Sequence, residues 1–371
     1  MSVNYKKFFD RVFRTEMRSG KWFSVVTITV AVVVLGAALT VFIFDPYYRY
    51  RWPSLYKALY YKSCATAPRL LNDFEYDTLL IGSSMAGNFF LNDINQTFSC
   101  KSLKLSVDGA SSYDLKKLFD TAVEAKGEKL KRVIYLLDIY AVNKSEKRYL
   151  EFDYMYRNDH SEDYRYLFNR ESLESVFYIW KRPFRLKGKR KYQTDPNRMF
   201  FSEHDKTRYS MEQVIASAAA SVNNGIKPAA RSTDFDSVLK NEVLAVFDRH
   251  PDIEFIVMMP PYHLYTWCLC GHFAEADELL KQKTEILSAL LKFKNVRVID
   301  YQCEPEIVCN GAYYTDIQHY SSALCRKMLE WAASGKYQLR SEADILANEN
   351  KLRKMVKDAM PQFYSDIGKK M

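Results

Sequence analysis

A chain of 371 residues that is 48% hydrophobic and 27% charged has the composition of a packed protein, not of a disordered one. The length suits one large domain or two small ones, and seven cysteines are too few for a disulfide-dense scaffold. A formal charge of +9 favours anionic surroundings such as lipid headgroups or acidic glycans; no nucleic-acid motif accompanies it, so nucleic acid is not expected as a partner, and no cofactor is expected.

Residues 1–21 read as a cytoplasmic tail carrying Lys6, Lys7, Arg11, Arg14, Arg18 and Lys21. Residues 22–44, WFSVVTITVAVVVLGAALTVFIF, contain no charged side chain. About 20 apolar residues suffice to cross a bilayer as a helix, and buried core helices seldom run so long without a charge, so a transmembrane helix is expected here. The stretch is too long for a signal-peptide core, and no small-x-small cleavage site follows it. The flank beyond it is also basic, with Arg49, Arg51, Lys57 and Lys62, so the charge bias is mild. Positive-inside reasoning still leaves the N-terminus in the cytoplasm and everything after Phe44 outside.

Residues 45–75 are aromatic and basic and read as a juxtamembrane stalk, with Tyr and Trp at headgroup level. Strands are expected at 77–82, 102–107, 132–138, 253–259 and 296–300, and helices at 84–90, 112–126, 234–249, 272–293 and 319–334. Alternation of this kind means βαβ units: an α/β fold with a mostly parallel sheet of about five strands. The runs LLIG, VIYLLD and FIVMM are nearly continuous in apolar residues, as strands covered on both faces should be. Residues 145–232 interrupt the rhythm and read as an insertion over the active face of a domain spanning 76–340. Within it KRPFRLKGKRKY, 181–192, is either a solvated loop or a contact for anionic lipid or glycan. The tail 341–371 opens on a capping-box pattern, Ser341 to Asp344, and continues as a basic helix.

Outside the cytoplasm thiols can oxidise. Cys303 and Cys309 flank a short segment and form a plausible bridge, and the odd total leaves at least one cysteine over. Asn95-Gln96-Thr97 and Asn143-Lys144-Ser145 are glycosylation sequons, relevant only to a eukaryotic secretory route. His263, Cys268, Cys270 and His272 are dense enough to suggest zinc, but C-x-C is tighter than the usual ligand spacing, and no metal is expected. Pro260-Pro261-Tyr262 reads as a pocket rim.

The chemistry concentrates in two motifs. Gly82-Ser83-Ser84 ends the first strand. Gly82 suits a sharp turn, and a serine opening a helix exposes its hydroxyl and presents its N–H at a helix N-terminus. Alone the triplet is an ordinary turn; it needs a base. Tyr314-Thr315-Asp316-Ile317-Gln318-His319-Tyr320 offers one of only six histidines, with an acid three residues before it. Asp316 could orient the His319 imidazole toward a serine hydroxyl, or it could be a simple helix cap.

A serine after the first strand and DxxH before the last helix together resemble the SGNH/GDSL hydrolase superfamily. The resemblance implies a three-layer α/β sandwich, with Ser84 as nucleophile, Asp316 and His319 as its partners, and Gly109 of SVDGASSYDL as an oxyanion donor. The superfamily's third block supplies an oxyanion Asn; here that strand end reads Leu136-Leu137-Asp138, and an ionised Asp cannot donate. Asn88, one helical turn after Ser84, is the candidate for the missing donor, beside the N–H groups of Ser84 and Gly109. An α/β-hydrolase fits less well: its G-x-S-x-G spacing fails here, and its serine follows several strands. FDPYYRYRWP, YDTLLIGSSMAGNF, PPYHLYTW and TDIQHYSSALCRKML look similar to a bacterial, membrane-anchored group that includes the D-alanine-transfer protein of teichoic acid modification and the alginate O-acetylation proteins. This implies a serine O-acyltransferase or esterase of a cell-surface polysaccharide, often beside a membrane-bound O-acyltransferase. The alternative is a non-catalytic scaffold that binds the glycan or that acyltransferase.

Overall fold

A computed structural model describes residues 19–157, 159–185, 194–200, 209–226 and 231–369. Lys6, Lys7, Arg11, Arg14, Arg18 and most of the basic run 181–192 lie outside the described residues. In chain order the elements are α1 (Ser19–Phe44), α2 (Ser63–Asp73), β1 (Thr78–Gly82), α3 (Leu91–Phe98), β2 (Ser102–Ser106), α4 (Ser112–Lys126), β3 (Arg132–Leu136) and α5 (Ile139–Val142). Then come α6 (Tyr164–Leu167), α7 (Arg170–Arg185), α8 (Met211–Asn223), α9 (Phe235–Val238), α10 (Ala245–Arg249), β4 (Glu254–Met259), α11 (Leu264–His272) and α12 (Ala276–Leu290). The last are β5 (Val296–Asp300), α13 (Pro305–Val308), α14 (Ser322–Ser334), β6 (Gln338–Leu339) and α15 (Glu342–Gly368). The chain divides into two compact units, Met1–Lys57 with Arg157–Leu186, and Ala58–Tyr156 with Lys187–Met371. The stretch 45–75 is therefore not one stalk, because its second half, including α2, belongs to the larger unit.

In the smaller unit, α1 holds one apolar span, Lys21–Phe44, of 24 residues, with a mean hydropathy of 2.6 over 18 of them, long and apolar enough to cross a membrane. At a rise of about 1.5 Å per residue it outreaches a hydrocarbon core of about 30 Å. Its end is tightly built. Asp45 takes a left-handed φ of 45°, and its carboxylate accepts the backbone N–H groups of Arg49, Tyr50 and Arg51, each at 2.8 Å. The Arg51 guanidinium donates to the carbonyls of Phe42 and Ile43, orphan acceptors at a helix C-terminus. Tyr166 of α6 donates to Asp45 at 2.8 Å, and Tyr47 shares a 2.9 Å bond with Ser175 of α7.

The larger unit is built on one six-stranded sheet, ordered β2-β1-β3-β4-β5-β6. β1 to β5 pair in parallel; β6 is antiparallel to β5. Every residue of β1 and β2 is buried, so the sheet is covered on both faces. The five expected strands form within two residues of their expected bounds. The sixth has two residues and follows Gly335, whose φ of 74° turns the chain back after α14. Residues 84–90 form not a helix but a single 3₁₀ turn, Ser84–Ala86, followed by a loop and α3. The helix expected at 272–293 forms as α12, Ala276–Leu290, and α11, Leu264–His272, precedes it where none was expected. α11 is buried nearly all round, from Leu264 to Cys270, so it shows no amphipathic period. Residues 234–249 are helical, with a π segment at Leu239–Leu244 between α9 and α10. The capping box of α15 forms, with Ser341 and Asp344 each accepting the other's backbone N–H.

The Cys303–Cys309 bridge does not form, and all seven cysteines are free. Cys303 turns into the core, 3.3 Å from both Lys283 Nζ and Asp300 Oδ2, while Cys309 is exposed.

The order β2-β1-β3 makes the C-terminal ends of β1 and β3 a topological switch point, where the chain leaves in opposite directions and a crevice opens. Gly82 ends β1 there. A Cβ on it would lie 2.9 Å from Leu136 Cβ and 3.1 Å from Ala86 Cβ, so only glycine lets β1 close on β3 before the chain turns. Gly82→Ala is expected to cost about 1–3 kcal/mol by overpacking, while Gly368→Ala, with open space around it, costs little. Urea unfolding of the two variants in detergent measures the difference.

Candidate active site

Ser84 opens the 3₁₀ turn after β1, and the turn is bolted down from several sides. Ser83 caps it, its hydroxyl accepting from the Met85 N–H, and the Ser83 carbonyl accepts from Ser106 Oγ of β2 at 2.9 Å. The Tyr320 hydroxyl donates to the Met85 carbonyl at 2.9 Å. Asn88 Nδ2 donates to the Tyr320 carbonyl at 2.6 Å. Lys104, a lysine within an otherwise apolar strand, reaches from β2 and donates to the carbonyls of Gly87 and Phe89, both at 2.7 Å. It is fully buried, and burial pushes its ammonium down to about 7. Two carbonyls match the two N–H bonds of a neutral amine.

The acid–base loop is equally constrained. Tyr314 and Tyr320 form an isolated antiparallel bridge, and the Thr315 N–H donates to the His319 carbonyl at 3.0 Å, so residues 315–319 form a closed loop. Asp316 Oδ1 accepts the N–H groups of Gln318 and His319, both at 2.7 Å, and Oδ2 lies 2.7 Å from His319 Nδ1. His319 Nε2 lies 2.9 Å from Ser84 Oγ. An ionised Asp316 only accepts, so Nδ1 carries a proton and Nε2 accepts from the serine hydroxyl.

Burial, the largest influence on each, would raise the Asp316 carboxyl and depress the His319 imidazole. Their mutual hydrogen bond and charge reverse both, helped on Asp316 by the two backbone N–H groups. His319 stands above its ordinary value, with Asp108 and Asp138 adding weaker attraction.

The three residues meet at a cavity of about 490 Å³ at the switch point, lined also by Gly109, Asp138 and Lys144. Gly109 has a φ of +63° and supplies a turn after β2. Its N–H and that of Ser84 donate no hydrogen bond to the protein among the described residues, so both are available to a developing oxyanion. Asn88 is not: it is buried, committed to Tyr320, and does not line the cavity. It braces the serine turn against the histidine loop instead, because residues 84–90 do not form the helix that would have carried it round to the cavity.

Asp138 stands at the end of β3, where the resemblance expects an asparagine. Its Oδ1 accepts from the Tyr262 hydroxyl and, at 3.0 Å, from the Tyr140 N–H; Oδ2 lies 3.5 Å from Ser83 Oγ. Burial raises this carboxyl above the ordinary range, against those two hydrogen bonds and the charges of Lys144 and His319. Tyr262 is thus not a rim residue but a fully buried partner of Asp138. Ser217 and Ser221, one turn apart on α8, and Ile226 form another stretch of wall. They come from the insertion 145–232, and nothing in that polar stretch marked them.

Among the described residues no three His, Cys, Asp or Glu side chains gather to hold a metal ion. His263 caps α11 through Nδ1 and is depressed to about 4 by burial. Cys268 and Cys270 are buried thiols pushed up to about 12. No protein-family model matches the chain, and no curated protein matches it. The fold and site define an α/β protein with a Ser-His-Asp series at the switch point of a mostly parallel sheet.

Lys104 yields a pH test. Its folded value of about 7 lies below the ordinary 10.5, so the unfolded chain binds the extra proton between those limits. Stability should therefore rise with pH in that window. Thermal unfolding at pH 7 and pH 10 should move in favour of the native chain relative to Lys104→Met; a constant difference contradicts the assignment.

Proposed function

We propose that the chain is a membrane-anchored serine O-acyltransferase or esterase that modifies a cell-surface polysaccharide through an acyl-serine, with its N-terminus in the cytoplasm and the larger unit outside. One observation carries this reading: Ser84 Oγ, His319 Nε2 and Nδ1, and Asp316 Oδ2 follow one another at 2.9 and 2.7 Å beside a cavity. A capping aspartate and an exposed histidine would not need the imidazole aimed at a strand-end serine. Apolar α1, the resemblance of the GSS and DxxH motifs to those of the SGNH/GDSL superfamily, and the basic character of the chain support the membrane and the anionic or glycan partner.

The chemistry follows from the geometry. His319 takes the proton from Ser84 as Oγ bonds to the carbonyl carbon of an ester. The oxyanion is met by the N–H groups of Ser84 and Gly109, at a cost of no reorganisation. Collapse breaks the bond to the leaving alcohol, which takes the proton from His319. The acyl-serine then yields its acyl group to an incoming hydroxyl, whose proton passes to His319 and back to Ser84. A glycan hydroxyl gives transfer; water gives hydrolysis. Asp316 keeps Nδ1 protonated throughout and stabilises the imidazolium. A membrane-bound O-acyltransferase would be a fitting neighbour to supply acyl groups.

The absence of an asparagine at Asp138 favours a second reading, a non-catalytic scaffold for glycan or acyltransferase. A serine-reactive phosphonate separates the two: labelling mapped to Ser84, and lost in His319→Ala, is expected for the enzyme, and no labelling under several acyl chemistries leaves the scaffold. Asp316→Asn should lower turnover by about 10⁴-fold by permitting the wrong tautomer. Because His319 must be neutral to act as base and is held above 6.5, activity should fall as pH drops through a midpoint above 6.5. The pH profile of kcat/KM measures that midpoint.

A further inference from the structure

α7 presents three faces where an ordinary surface helix presents two. At about 100° per residue, Ser172, Ser175, Val176 and Ile179 occupy one sector, and all are buried within the smaller unit. Leu173, Phe177 and Trp180 occupy a second sector; Phe177 is 50% and Trp180 58% exposed. Arg170, Glu174 and Lys181 occupy a third, with Arg170 91% and Glu174 59% exposed. A helix between protein and water alone has no reason to divide its outer surface into an aromatic strip and a charged strip. A helix lying at a bilayer surface has one: its outer side meets both acyl chains and water.

The attachment point places α7 at the matching depth. Both α6 and α7 pack against α1. Residues of α1 as far as Leu35 are largely open, and burial begins at Ala38 and Val41, in its last two turns. On the other faces of those turns Leu39, Phe42 and Ile43 stay 40–57% exposed, as lipid-facing residues would. The bolts from Tyr47 to Ser175 and from Asp45 to Tyr166 fix this height. Phe168, 53% exposed just before α7, adds to the aromatic surface, and Tyr164 of α6 is 60% exposed. Lys57 and Lys181, both exposed and both in the smaller unit, supply charge that complements anionic headgroups.

We infer that α7 is an interfacial helix: it lies along the headgroup–acyl boundary of the bilayer that α1 crosses, with Leu173, Phe177 and Trp180 in the lipid and Arg170, Glu174 and Lys181 in water. This rests on the reading of α1 as a membrane span. The chain then holds the membrane at two places, one through it and one along it.

The test uses the full chain in nanodiscs containing anionic lipid, with the accessible thiols Cys100 and Cys309 replaced by serine. A nitroxide is placed in turn by Phe177→Cys, Glu174→Cys and Val33→Cys; all three sites are exposed, so the labels leave the core intact. Collisions with dissolved oxygen and with a water-soluble nickel chelate report the surroundings of each label. The expected result is an oxygen-to-nickel ratio several-fold higher at 177 than at 174, with 177 about 5–10 Å below the headgroups and Val33 deeper. Lipid exposure at 33 together with water exposure at 177 overturns the inference and spares the membrane span. Water exposure at 33 removes the span and the inference with it. Protection of 177 from both reagents means that a protein covers this strip and also overturns the inference.

Discussion

A 2.9 Å hydrogen bond joins the hydroxyl of Ser84 to the imidazole of His319, 235 residues away. Both loops must be rigid for that distance to hold, and each is made so by polar groups that have few alternatives. The serine turn hangs on Lys104, Ser106 and Tyr320; the histidine loop hangs on Asp316 and on the Tyr314–Tyr320 bridge. Tyr320 belongs to both sets. Buried donors and acceptors of this kind are costly to leave unmatched, so the two loops hold a single mutual arrangement.

The strands were readable because a strand buried on both faces must be apolar throughout, and LLIG, VIYLL and FIVMM have few other uses. The triad candidates were readable because a serine at a strand end and DxxH are local patterns. The misses share a cause as well: tertiary contacts override local periodicity. β6 is two residues long and too short to show a period. α11 is apolar on all sides and resembles a loop wall more than a helix. Asn88 looked like a residue on a helix that the bonds to Lys104 and Tyr320 do not allow to form. Cys303 was spaced for a bridge, but Asp300 and Lys283 hold its sulfur. The division at Lys57 leaves no mark in composition, because the residues on either side of it are equally aromatic and basic.

The smaller unit applies the same logic with different materials. An apolar helix cannot end in a loop without answering for its last carbonyls. Arg51 accepts that task from one side, and the Asp45 carboxylate gathers the N–H groups of the turn beyond. The charge that closes the helix also draws Tyr166 and fixes where α6 sits.

The wall contributed by α8 and by Ile226 just beyond it comes from a different part of the chain than the Ser84 turn or the His319 loop. Ser217, Ser221 and Ile226 face the cavity, yet none takes part in the hydrogen bonds that hold Ser84 to His319. Replacements on this helix can therefore reshape what the cavity admits without loosening the reactive centre. A change of fit can thus be written on α8 alone, while the Ser84–His319–Asp316 series stays as it is.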